Sequence, residues 1–219
     1  TQRVRIGTLL TPASRRRPWK LASETATLDR LSHGRVILPV GLGAIDTGFD
    51  SVGEQVDRKI RAQLLDESLE IITRFWSGQP FQFDGTHYHV NWGVDWLYTP
   101  VQTPRIPIWA VGAWRKEKSM LRALRYDGVL ITKMQGNGSF GEVTPVDVQQ
   151  VKQYVDQNRV EKTPFDIIIE GVTPIGEPEQ AEAVVAPFAQ AGATWWIESM
   201  WGSSRKDVAT RIKQGPPRS

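Results

Sequence analysis

A chain of 219 residues, 40% hydrophobic and 23% charged, has the size and balance of one folded domain. Its net charge of +3, from 27 Lys and Arg against 24 Asp and Glu, is too small to mark a nucleic-acid-binding protein, and the lack of cysteine excludes a disulfide framework or a thiolate metal site. No apolar run reaches the length of a membrane span and no signal peptide is recognised, so cytoplasm is the expected location.

The stretch from Val4 to Gly43 reads as strand, turn, helix, strand and glycine loop. Arg3 to Leu10 is an apolar strand that Pro12 stops. Pro18 suits the first position of a helix, where its missing N–H costs nothing. Leu21, Thr25, Leu28 and Leu31 then fall on one face, and Gly34 suits a left-handed cap. Arg35 to Val40 is the second strand, with Pro39 suggesting a bulge near its end. Two buried strands bracketing a helix make a parallel βαβ unit. Gly41 to Glu54 is a glycine-rich loop.

Asp57 to Trp76 is the clearest helix. Leu65, Leu69, Ile72 and Trp76 form one apolar row, widened by Ile60, Leu64, Ile71 and Phe75. Asp57, Arg58, Arg61, Asp66 and Glu67 read as its exposed, ion-paired face. Asp84-Gly85 then signals a hairpin within an inserted segment of about residues 78–104.

Ile106 to Val111 is the third strand, Lys116 to Tyr126 a short helix and Val129 to Thr132 the fourth strand. Gly136-Asn137-Gly138 reads as a flexible loop. Thr144 caps a helix that starts at Pro145 and turns Val148, Val151 and Val155 inward. Phe165 to Glu170 is the fifth strand. The helix from Pro178 places Ala181, Val184, Val185 and Phe188 on one side, with Pro187 expected to kink or shorten it and Gly192 at its end. Thr194 to Glu198 is the sixth strand, Ser204 to Lys213 the last helix, and residues 215–219 a disordered tail. Strands alternating with helices imply a parallel sheet covered by helices, either doubly wound or a (β/α)8 barrel. The barrel needs eight units and this chain shows six, beginning abruptly in a strand, as a barrel lacking its first two units would.

The run RIGTLLTPASRRRPWKLASETATLDRLSHGRVILPVGLGA resembles the third and fourth βα units of the bacterial luciferase-like monooxygenases. LDESLEIITRFWSG, PFQFDGTHYHV, PRIPIWAVGA and YDGVLIT extend the resemblance in order from about residue 3 to 200. It implies a single-domain (β/α)8 TIM barrel over residues 1–214, incomplete at its N-terminus, that uses FMN or the deazaflavin F420. It places a non-proline cis peptide at Thr8–Leu9, behind the cofactor ring. It also places cofactor-phosphate contacts at Gly41, Leu42 and Gly43 and at Val111, Gly112 and Ala113. Glycine suits this role, since it lets backbone N–H groups approach an anion. Some deazaflavin-using relatives carry a catalytic glutamate near the position of Ala44, so that acid is not carried over.

Other residues follow from strand ends, where barrel enzymes place their chemistry. Glu170, Glu198 and Lys133 stand there as candidate acid–base residues, or as charges that pair with one another and with rim arginines. Trp109, Trp114 and Trp196 are the expected walls of the substrate pocket. Arg15 to Arg17 read as a phosphate or acidic-tail grip, or as a solvated turn. His33 reads as structural, and His87 and His89 do not suit a metal, so no metal is expected. Gly41-Leu42-Gly43 lacks the third glycine of a dinucleotide fingerprint, since Asp46 stands there. The expected protein is a homodimeric oxidoreductase or monooxygenase acting on a small apolar molecule by hydride or oxygen transfer. FMN comes first and F420 second. The reading from another class is a non-catalytic truncated relative.

Overall fold

A computed structural model describes residues 2–44, 48–96, 98–136 and 139–215. The chain divides into two compact units, Thr1–Ala110 and Val111–Ser219.

In the first unit β1 (Thr11–Pro12), α1 (Pro18–Ser32), β2 (Leu38–Gly41), α2 (Arg58–Trp76), the hairpin of β3 (Phe81–Asp84) and β4 (His89–Trp92), and the start of β5 (Ile108–Ala113) follow in order. β1 pairs parallel to β2 and β2 parallel to β5. The first strand departs from expectation. Ile6 bridges Val36, and the ladder returns only at Thr11 and Pro12. Pro39 supplies the reason. The Ile37 N–H donates to the Ile6 carbonyl at 2.9 Å, and the next donor on that edge would be residue 39, a proline with none. The ladder therefore breaks over residues 7–10, and Pro39 stays in register with Trp109 instead of bulging. The non-proline cis bond falls inside this break, at Leu9–Leu10, one residue beyond the expected Thr8–Leu9.

The buried face of α1 is also shifted. Leu21, Ala22, Thr25, Ala26, Asp29 and Ser32 turn inward, whereas Leu28 and Leu31 are 40% and 75% exposed. Small residues win because α2 packs close, with the Trp76 indole N–H donating to the Ala22 carbonyl at 3.1 Å. His33 and Gly34, both at positive φ, close the helix. On α2 the expected apolar row is buried, but Arg61 and Glu67 are not a solvated ion-paired face. Arg61 is buried, and the Glu67 carboxylate accepts from the backbone N–H groups of Thr86, His87 and Tyr88 at the hairpin turn. Asp29, wholly buried, accepts from Val101 N and Gln102 N at 2.9 and 3.1 Å and from Gln102 Nε2 at 2.7 Å. Two helix carboxylates thus hold the turn and the exit of the inserted segment. Phe75 seats it further, edge-on to Phe81 and Trp92 at 4.9 and 5.4 Å.

In the second unit the end of β5 is followed by α3 (Glu117–Leu124), β6 (Gly128–Met134), β7 (Phe140–Gly141), α4 (Pro145–Asn158), β8 (Asp166–Gly171), α5 (Pro178–Gln190), β9 (Trp195–Glu198) and α6 (Arg205–Gln214). β6, β8 and β9 run parallel. The short β7, which the sequence does not announce, pairs antiparallel with Lys133 and Met134. Of the expected flexible loop, Asn137 and Gly138 lie outside the described residues, as do residues 216–219 of the expected tail. Thr144 and Asp147 form the capping box of α4, and Val148, Val151 and Val155 are buried. α5 continues through Pro187 and ends three residues later at Gln190. Only Ala181 on that helix is fully buried. Among the described residues no helix is long and apolar enough to cross a membrane.

Replacing the wholly buried Asp29 removes the acceptor of the Val101 and Gln102 backbone N–H groups and of the Gln102 amide. Asp29→Ala is expected to lower stability by about 2–4 kcal/mol, with hydrogen exchange rising first over residues 99–104. Denaturant titration and exchange mass spectrometry check both effects.

Candidate functional site

Strand alternation sorts the candidates by face. In the second unit a Cβ at Gly112 would lie 2.3 Å from Val129 Cγ2 and 2.9 Å from Met120 Sδ of α3, so Gly112 and Val129 face the helices. Val129 pairs in register with Ile167, which puts Ile167, Ile169 and Gly171 on the same side. Trp196 packs on Phe188 of α5 at 5.4 Å between ring centres, so Trp196 and Glu198 lie there too. The other face carries Val111 and Ala113 of β5, Leu130, Thr132 and Met134 of β6, Ile168 and Glu170 of β8, and Trp195 and Ile197 of β9.

Glu198 and Lys133 are both held on the helix side. Glu198 accepts from Thr173 N at 2.7 Å, Thr173 Oγ1 at 3.0 Å, Trp196 Nε1 at 3.3 Å and Arg211 of α6 at 3.4 Å. Lys133 donates to Asp147 at 2.8 Å. Burial acts against the charge on Asp147, but bonds from Lys133 and from the Thr144 N–H and hydroxyl, with the Lys133 charge, hold its carboxyl below the ordinary value. Trp196 likewise lies under α5, leaving Trp195 as the tryptophan of β9 on the opposite face. Glu170 differs from the other two. Its Oε1 accepts from the Ser199 hydroxyl at 2.8 Å, and Oε2 has no partner among the described residues.

In the first unit the glycine turn after β2 is built on arginines. Leu42 O accepts from Ser14 Oγ at 3.2 Å and from Arg61 at 2.8 Å. Arg61 also reaches Gly43 O, and Arg15 reaches Ala44 O while lying 3.6 Å above the Phe49 ring. Burial, then the charges of Arg15 and Arg58, lowers the Arg61 guanidinium from its usual value. Among the described residues the buried Nε atoms of Arg15 and Arg61 have no partner. Two such cations beside a glycine turn suit an anionic, phosphate-bearing cofactor. Gly43, at φ +76°, has no room for a side chain, since a Cβ would lie 2.7 Å from Pro12 Cβ. Thr8 is exposed and bonded to Thr11 at 2.6 Å between hydroxyls, and Leu9 is half-buried beside the broken ladder. Trp109 is buried, in register with Pro39.

The second glycine turn is partly occupied by the protein itself. The Ala113 N–H donates to Ser119 Oγ at 3.0 Å, and that hydroxyl donates to Val111 O at 3.3 Å. Trp114 is half-buried against Tyr154, and its Nε1 has no partner among the described residues. His89 pairs with Asp84 and His87 with Gln63. No group of metal-ligating side chains occurs among the described residues. Ser199 is the residue the sequence reading missed. Its position directly after the sixth strand was the available signal.

Parallel strands alternating with helices, with glycine turns at their C-terminal ends, define a protein of repeated βα units. Residues 1–212 match the luciferase-like monooxygenase family, and the chain belongs to it. An F420-dependent glucose-6-phosphate dehydrogenase of Tsukamurella paurometabola is 34% identical over 148 residues, 65% of this chain and 42% of that one. The coenzyme F420-dependent tetrahydromethanopterin reductase of Methanopyrus kandleri superposes with a TM-score of 0.71 at 18% identity, over 96% of this chain and 81% of that one. The oxygenating constituent of 3,6-diketocamphane monooxygenase of Pseudomonas putida, in complex with FMN, gives 0.59 at 15%, over 87% and 55%. The two superpositions establish the luciferase-like barrel fold. The chain spans 27–42% of the length of the curated relatives it matches.

The depressed carboxyl of Asp147 makes a signed prediction. A group whose folded pKa is lowered stabilises the fold above its unfolded pKa, and that contribution disappears as pH falls through the folded value. Asp147→Asn is therefore expected to be less stable than the parent at neutral pH and to show a shallower loss on acidification. Thermal melts from pH 7 down to pH 2 check this.

Proposed function

We propose that this chain forms the cofactor-binding barrel of an oxidoreductase that uses F420 and acts on a small organic substrate. The observation that carries this reading is the family match over residues 1–212, with F420-named relatives at 34–40% identity. In the first unit Gly41, Leu42 and Gly43, stiffened by Arg15 and Arg61, would hold an anionic part of the cofactor, and Thr8 and Leu9 would lie against its ring. In the second unit Val111, Gly112 and Ala113 would take the corresponding role. When bound, the cofactor supplies the hydride or oxygen chemistry, and the protein supplies orientation and exclusion of water. In the second unit Trp114, whose indole N–H has no partner among the described residues, would form an apolar wall, and in the first unit Trp109 is buried.

FMN is the second reading. It is favoured by Ala44, which stands where some deazaflavin-using relatives carry a catalytic glutamate.

Titration of the purified protein with F420 and with FMN, followed by cofactor absorbance and by melting temperature, separates the readings. F420 is expected to bind and raise the melting temperature. Gly43→Ala, which forces a side chain against Pro12 at positive φ, is expected to weaken binding at least tenfold. Tighter binding of FMN would transfer the assignment to that cofactor. Binding of neither would leave the non-catalytic relative as the better description.

A further inference from the structure

We propose that Glu170 is the proton-exchanging carboxylate of this protein and that Ser199 is the residue that positions it. The inference rests on the oxidoreductase reading above and adds the acid–base group which that reading lacks. Hydride transfer to or from a hydroxyl, amine or carbonyl substrate is accompanied by a proton, and a carboxylate at a strand end is suited to exchange it.

Three residues at the strand ends could serve, and the geometry separates them. Lys133 is committed to Asp147 at the start of α4. Glu198 has a donor on each oxygen, Thr173 N on Oε1 and Thr173 Oγ1, Trp196 Nε1 and Arg211 on Oε2, so both oxygens are engaged. Both face the helices. Glu170 faces the other way, at the C-terminal end of β8, on the side shared with Thr132 and Trp195. It is half-buried, and one oxygen is held while the other has no partner among the described residues. That division suits a group which must keep one geometry and still exchange a proton.

Ser199 is itself fixed. Its backbone N–H donates to Gly171 O at 2.8 Å, one step beyond the register pair Gly171 and Glu198. The hydroxyl is thereby delivered to Glu170 Oε1 from a backbone that cannot shift without breaking the β8–β9 ladder. A free glutamate samples several rotamers, whereas one tied to a ladder-anchored hydroxyl presents its second oxygen in one direction. Proton exchange at that oxygen forms an O–H bond on Glu170 as the substrate O–H or N–H bond breaks, and the reverse returns it. The two electrons of the accompanying hydride pass between substrate carbon and a flavin-type hydride carrier.

Four proteins test this: the parent, Glu170→Gln, Ser199→Ala and Ser199→Thr. Carbon–carbon couplings of 13C-labelled glutamate report the Glu170 rotamer without any cofactor, Glu170→Gln identifying its signals. The parent and Ser199→Thr are expected to show one rotamer and Ser199→Ala an average. With F420 loaded and turnover established, Glu170→Gln is expected to lower kcat by about 10²-fold or more. Ser199→Ala is expected to lower kcat about tenfold with KM and cofactor affinity little changed, and Ser199→Thr to restore it. Unaltered couplings in Ser199→Ala, or full turnover by Glu170→Gln, would overturn the proposal. Failure of the parent to bind either cofactor refutes the oxidoreductase reading and the exchange role with it, while the couplings still decide the Ser199–Glu170 pairing.

Discussion

The two-residue repeat of the parallel strands governs what each side chain in this protein can do. One face of every strand is claimed by helices, and residues there are used for packing and for tying helices down. Gly112 is glycine because Val129 and Met120 fill the space where a side chain would stand. Gly171 is glycine for the same kind of reason, with the Trp196 ring 2.2 Å from where its Cβ would be. The glycines after the strands are thus partly packing requirements, and the turn at Gly43 also demands a left-handed backbone.

Charged residues follow the same division. Asp29, Glu67, Asp147 and Glu198 each satisfy backbone N–H groups, which would be costly to bury unpaired. Arg61 does the complementary work for the carbonyls of Leu42 and Gly43. The inserted hairpin depends on this arrangement. Two of the carboxylates hold it through its main chain, with the Gln102 amide and the rings of Phe81 and Trp92 adding side-chain contacts.

The fold class was legible because strand and helix periods alternate cleanly, and Pro18 at the first helical position and the caps Thr144 and Ser204 stand where helices start. The first strand was not, because its break depends on a proline in its neighbour, a pairing that local pattern does not contain. The α1 stripe was misplaced because Leu28 and Leu31 outweigh Ala22 and Ala26 in hydrophobicity, although close packing of α2 selects the alanines. Trp196 and Glu198 looked like pocket residues because a strand's sequence gives two faces without saying which one the helices cover. Arg61 and Glu67 looked solvated because charge alone does not reveal a buried backbone partner. For Glu170 the reverse holds, since its place on the open face follows from the register with Trp195 and Ile197.

Glu170 and Glu198 show how one residue type at one strand end acquires different capacities. They lie on adjacent strands, Gly171 pairing with Glu198 and Glu170 with Ile197, so the register offsets them by one residue. That offset turns Glu198 toward α6 and Glu170 away from it. A carboxylate among four donors, one of them an arginine, ties β9 to α6 and to the chain after β8. A carboxylate with a single hydroxyl donor keeps an oxygen free for another molecule. Slipping β9 by one residue would turn Glu198 to the face that Glu170 occupies, so strand pairing, more than residue identity, decides which glutamate is open to chemistry.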